Sequence, residues 1–196
     1  MPTPDRPLRS LGFLTIGLFD EHDPAGGHEA TLRLIELGEQ LGFDSAWLRH
    51  RHLQYGISSP LTVLAAASQR TRRIALGTAV TPLGWENPLR YAEDLATVDV
   101  LSGGRLNPGV SVGVPIHYEE VKDALYPDTA DREDFGYGRV ERLLGLLRGS
   151  GPAASAAPRA SRRTPSASSR TCPVWPGGSG TAAAACARCA GPARTG

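Results

Sequence analysis

The 196-residue chain is 40% hydrophobic and 21% charged with a formal net charge of +1, which suits a folded soluble domain and argues against a surface built to meet nucleic-acid phosphate. The average hides an asymmetry: residues 1–149 carry all 20 acidic residues against 15 basic ones, a charge of −5, while residues 150–196 hold six Arg and no acid. That second segment has no Ile, Leu, Phe, Tyr or Met and is expected to be a low-complexity, disordered tail, because it offers too little apolar surface to offset the entropy of ordering a backbone.

No apolar run is long enough to span a bilayer and the start "MPTPDRPLRSLG" has no signal-peptide core, so no membrane is expected and the expected location is cytoplasmic. Cys172, Cys186 and Cys189 all lie in the tail, which leaves residues 1–149 without a disulfide framework. "CARC" has the spacing of half a zinc site but no second pair or nearby His, and no metal is expected.

In chain order, "LGFLTIGLF", Leu11 to Phe19, reads as a first strand, apolar on both faces as in a sheet covered by helices. The loop "DEHDPAGG" follows. Leu34, Leu37 and Leu41 then recur at helical spacing, which places a first helix over His28 to Leu41 with Gly42 at its end. "FDSAWLR" is a second strand, and "HRHLQYG" is the loop behind it. Ser59-Pro60 marks the start of a helix through "LTVLAAASQ", since proline at the first helical position gives up no hydrogen bond. "RRIALGTAVTPL" is a third strand. Asn87-Pro88 repeats the start signal for "LRYAEDLATVDVL"; "GGRLNPGVSVGV" turns into a fourth strand; and "YGRVERLLGLLRG" is a fourth helix that Gly149 can end.

Four βα units in series predict a parallel α/β sheet, either doubly wound or a (β/α) barrel. No G-x-G-x-x-G follows the first strand, and "GGRLNPG" precedes a strand rather than a helix, so dinucleotide and P-loop fingerprints are not met.

Four stretches in order, "LGFDSAWLRHRH", "SSPLTVLAAASQRTRRIALGTAV", "ENPLRYAEDLATVDVLSGGRLNPGVSVG" and "YPDTADREDF", make residues 11–149 resemble the bacterial luciferase-like monooxygenases, flavin-dependent enzymes on a (β/α)8 TIM barrel. The resemblance implies a monooxygenase using reduced FMN and O2 on a small organic substrate, with a separate flavin reductase as partner. An F420-dependent oxidoreductase on the same scaffold is the enzymatic alternative. His50 resembles the histidine these enzymes set beside the flavin, where an imidazole of near-neutral pKa can act as acid or base. The alternative is a solvated loop residue, as His52 is read. Ala79–Val80 matches the position of a non-proline cis peptide under the flavin ring, with an ordinary trans strand end as the alternative. In bacterial luciferase the fourth strand ends in a cysteine and a phosphate-binding arginine; Ser111 and Val112 stand there, with Ser111 still expected to face the cofactor.

Other residues read more plainly. Trp85 either stacks on a ligand or covers the rim. Glu93 and Asp94 read as a solvated helix face, and Arg105 as a partner of Asp99 or of a helix end. Only about four of the eight βα units are present, so residues 1–149 are expected to form a half-barrel with two open edges that pairs with a second copy or aggregates. The non-catalytic alternative is accordingly a truncated half-barrel or interaction module, and residues 150–196 are expected to be an out-of-frame or divergent reading of a GC-rich gene. No nucleic-acid partner is expected.

Overall fold

The computed structural model describes residues 8–149. The four strands β1 (Gly12–Thr15), β2 (Ser45–Leu48), β3 (Ala75–Pro82) and β4 (Leu106–Ser111) form one parallel sheet in the order β1-β2-β3-β4. Between them run α1 (Pro24–Gln40), α2 (Pro60–Arg70) and α3 (Pro88–Leu101), followed by α4 (Tyr118–Leu125) and α5 (Tyr137–Leu147). This is the expected α/β alternation with each strand beside its predecessor.

Local chemistry fixes the element ends. The Asp23 side chain accepts from the Gly26 amide and Pro24 occupies the first turn, so α1 starts ahead of the expected His28. The Asn87 side chain caps α3 through the amides of Leu89 and Arg90. The first strand is shorter than its apolar run: Gly17 takes a left-handed φ of 53°, the chain turns, and Leu18 is exposed. α4 is an element without counterpart in the sequence reading; it buries no residue fully, and its first turn is supported by a Lys122–Glu119 ion pair.

The core lies between the sheet and the helix layer. Ala46 and Leu48 of β2 and Leu76 of β3 pack with Ile35 of α1, Leu64 of α2 and Leu95 and Val98 of α3. Each fully buried leucine contributes roughly 1.5–3 kcal/mol by removal from water. The opposite sheet face is more open: Leu14 is 51% exposed, and the Trp47 ring lies against Gly77 across the strands. β1 and β4 each pair on one side only among the described residues.

β3 and β4 are in register from Leu76↔Leu106 to Thr78↔Pro108, then shift, and resume at Thr81↔Val110 and Pro82↔Ser111. Thr78 bridges the irregularity: its hydroxyl donates to the Gly109 carbonyl (2.8 Å) and accepts from the Gly109 amide (3.1 Å). Within this stretch the Ala79–Val80 peptide is cis.

At the amino end of the strands, Arg105 donates to the carbonyls of Ser68, Thr71, Ile74 and Ser102 and to the Thr71 hydroxyl. It closes helix ends, so the "SGGR" turn is an architectural device remote from the carboxyl ends of the strands. Gly103 and Gly104, with φ of 67° and 80°, make that turn as expected.

Candidate active site at the carboxyl ends of the strands

The polypeptide leaving β2 and the one leaving β3 meet at the carboxyl end of the sheet. His50 continues the phase of Ala46 and Leu48, so its ring turns toward the helix layer and its side chain is only 4% exposed. The Val80 backbone lies near enough to the ring to oppose the lowering of its pKa. His50 follows β2 and Val80 lies in β3, so the two residues named from separate motifs stand near one another at this end of the sheet. Ser111 is half-buried at the end of β4, opposite Pro82, so Ala79, Val80 and Ser111 share the mouth of adjacent strands.

His52 is more than a loop residue. Its ring stacks on Trp85 with centroids 4.0 Å apart and planes 6° from parallel, and it lies 5.3 Å from the His50 ring. One face of Trp85 is thereby taken by a neighbour from the preceding loop. Glu86, next in the chain, sets Oε1 3.8 Å from His50 Nε2. Beneath them the Tyr91 and Thr81 hydroxyls hydrogen-bond at 2.6 Å, tying the start of α3 to β3.

A cleft of about 190 Å³ opens beside this group between α2 and α3, lined by His50, Ser59, Glu86, Tyr91, Asp94 and Thr97 among others. Asp94 and Glu93 both pair with Arg90 on the exposed side of α3, in keeping with a solvated face, yet Asp94 also borders the cleft.

The electrostatics follow from burial. Burial, reinforced by the neighbouring His52, lowers the His50 pKa from 6.5 to about 3, against the opposing effect of the Val80 backbone. The near-neutral imidazole expected from the sequence is therefore a neutral ring at physiological pH. Burial and then the Asp94 charge raise Glu86 from 4.5 to about 7. Burial also lowers His52 and raises Tyr91, the latter despite hydrogen bonds to Thr81 and Thr78.

Three buried polar atoms at this end, His50 Nδ1, Arg51 Nε and His52 Nε2, have no hydrogen-bond partner among the described residues. Such atoms fit a site that receives a polar, acceptor-rich planar ligand such as a flavin, because an unsatisfied buried group costs about 1–3 kcal/mol until it is paired.

Comparison with known proteins bears on what this mouth serves. The sequence model of the luciferase-like monooxygenases matches residues 9–191. The chain belongs to this family. The 4-hydroxyprotoasukamycin monooxygenase of Streptomyces nodosus subsp. asukaensis is 35% identical over 143 residues, covering 70% of this chain and 35% of the relative. The F420-dependent glucose-6-phosphate dehydrogenase of Amycolatopsis mediterranei is 31% identical over 116 residues, covering 56% of this chain and 34% of the relative. Among solved structures, the monooxygenase RslO1 of Streptomyces bottropensis matches with a TM-score of 0.59 and 28% identity over 70% of this chain and 43% of that one. The luciferase-like chain thus spans about a third of the length of these curated relatives.

For a luciferase-like chain the carboxyl-end mouth is the face on which (β/α) barrels place their chemistry. The sequence reading missed two residues there, Glu86 and Arg139. Arg139 of α5 is almost wholly buried and donates to the carbonyls of Leu83 (3.2 Å) and Glu86 (2.8 Å), to the Tyr126 hydroxyl (2.9 Å), and to the Glu133 carboxylate (2.6 Å). Its position four residues before the buried Leu143, on the inward stripe of α5, was the available signal. No helix among the described residues is long and apolar enough to cross a membrane, and no group of three or more His, Cys, Asp or Glu is arranged to hold a metal ion. The cysteines and the segment 150–196 lie outside the described residues.

Proposed function

We propose that this chain supplies the amino-terminal strands of a flavin-dependent monooxygenase that uses reduced FMN and O2 on a small organic substrate. The observation that carries the reading is the buried His50 at the carboxyl end of the sheet, beside the Ala79–Val80 stretch of β3, in a luciferase-like chain. Ala79, Val80 and Ser111 are the residues proposed to line the flavin, with the orphaned Arg51 and His52 nitrogens as donors toward its polar edge. Reduced FMN, when bound, supplies the electrons for oxygen activation.

The residues of the chain supply position and protons. The neutral His50 ring accepts a proton or passes one on, and the burial that keeps it neutral also excludes bulk water from it. The His52–Trp85 stack walls the rim. A separate reductase would deliver the reduced flavin, and a second copy of the chain is the proposed partner for the open strand edges. The monooxygenase names of two relatives support the monooxygenase reading, whereas the F420-dependent relative supports a deazaflavin oxidoreductase as the second reading.

Parallel fluorescence titrations with FMN and with F420 test the assignment. Saturable binding of FMN at about 10 µM or below, with weaker F420 binding, is the expected result. Preferential F420 binding selects the second reading, and no binding of either removes both for this chain.

A further inference from the structure

The buried, neutral His50 ring leaves the proposed site without a proton store of its own. The structure sets beside it a carboxyl whose backbone is held from two directions. The Glu86 amide donates to the Leu83 carbonyl (3.1 Å), while Arg139 donates to the carbonyls of both Leu83 and Glu86. The Arg139 charge is itself taken up by Glu133 at 2.6 Å. The loop end is therefore fixed, and the Glu86 side chain faces His50 across 3.8 Å beside a cleft large enough for water. Ser59, on the same cleft, makes no capping hydrogen bond with its side chain, and His50 Nδ1 is unpartnered among the described residues.

Resting on the reading of His50 as the proton-handling residue, we propose that Glu86 is its positioning residue and the reservoir that supplies and reclaims its proton. In the forward direction the Glu86 O–H bond breaks and an N–H bond forms at His50 Nε2, directly or through one water, leaving a carboxylate beside an imidazolium. The reverse step restores both neutral groups, and no electron changes hands. A spacing of 3.8 Å is too long for a direct hydrogen bond, so either one bridging water or a small side-chain movement completes the path.

The surroundings decide which group stores the proton. Facing Glu86 are His50 and, behind it, His52 from the loop after β2; Tyr91 and Asp94 from α3; and Arg139 from α5. Burial keeps the two imidazoles and the Tyr91 phenol neutral, and Asp94 disfavours a second negative charge nearby. Glu86 is left as the member of this cluster brought to about 7, so both its protonated and its ionised form are accessible near neutral pH.

The test is an NMR titration of the His50 ring C–H signals in the full chain between about pH 5 and pH 9. The expected result is a transition with a midpoint near 7 in the wild type, its loss in Glu86→Gln, and its retention in Glu93→Gln on the exposed side of α3. A wild-type His50 signal that is flat through this range, or a transition that survives in Glu86→Gln, overturns the proposal. The wild-type titration decides the first point even if the variant fails to fold. No flavin is added, so a failure here is separate from a failure to bind FMN.

Discussion

Replacing Glu86 by Gln removes one ionisable group while nearly preserving shape, and the environment of Glu86 predicts a pH-dependent change in stability. In the folded chain its carboxyl is raised from 4.5 to about 7. A raised folded pKa means that the protonated form is favoured by folding. That contribution is fully present below pH 4.5 and is lost as the pH rises through 7. The gap corresponds to on the order of 3 kcal/mol between the two plateaus, at about 1.36 kcal/mol for each pKa unit. His50 acts in the opposite sense: its stabilisation is present above 6.5 and lost as the pH falls toward 3, but it is common to both proteins and drops out of their difference. Urea unfolding of wild type and Glu86→Gln at pH 5, 6, 7 and 8 should show the variant gaining on the wild type as the pH rises, by about 2–3 kcal/mol across the range. A difference that stays constant within about 0.5 kcal/mol would refute the burial argument for Glu86.

Arg139→Met should destabilise the chain by about 3–5 kcal/mol in the same assay, because it removes the cation paired with Glu133 and a donor to the carbonyls of Leu83 and Glu86; a loss below about 1 kcal/mol would contradict the bracing role. Gly77→Ala places a methyl against the Trp47 ring and 2.7 Å from the Asn107 carbonyl, and should lower stability by about 1–3 kcal/mol, read as a fall in Tm. Trp85→Ala removes the ring that covers His52, so the His52 pKa should rise toward its ordinary value in an NMR titration, with about 0.5–1.5 kcal/mol of stability lost. An unchanged His52 titration would show that the stack does not shield it.

What could be read from sequence tracks how local its cause is. The four strands and the helices at Ser59-Pro60 and Asn87-Pro88 were legible because apolar runs and proline starts act within a few residues. Boundaries were less so: Gly17 ended β1 ahead of its apolar run through a left-handed φ, and the Asp23 side-chain cap with Pro24 advanced α1 ahead of its apolar stripe. α4 escaped notice because it is only two turns long and buries no residue fully. At the mouth, motifs drew attention to His50 and Val80, and the fold sets both at the carboxyl end of the sheet. No motif marked Glu86, since a lone Glu before Asn87-Pro88 reads as the start of a helix, and only the fold carries it to His50. The His50 pKa could not be read at all, because it is set by burial in the assembled fold and then by the neighbouring His52.

Residue-resolved NMR during an FMN titration tests most directly whether the carboxyl-end mouth is the flavin side. The account predicts saturable shifts concentrated at His50, His52, Val80 and Ser111, with Arg105 and its partners at the opposite end of the strands unmoved. Shifts centred on Arg105, or none at saturating FMN, would contradict it.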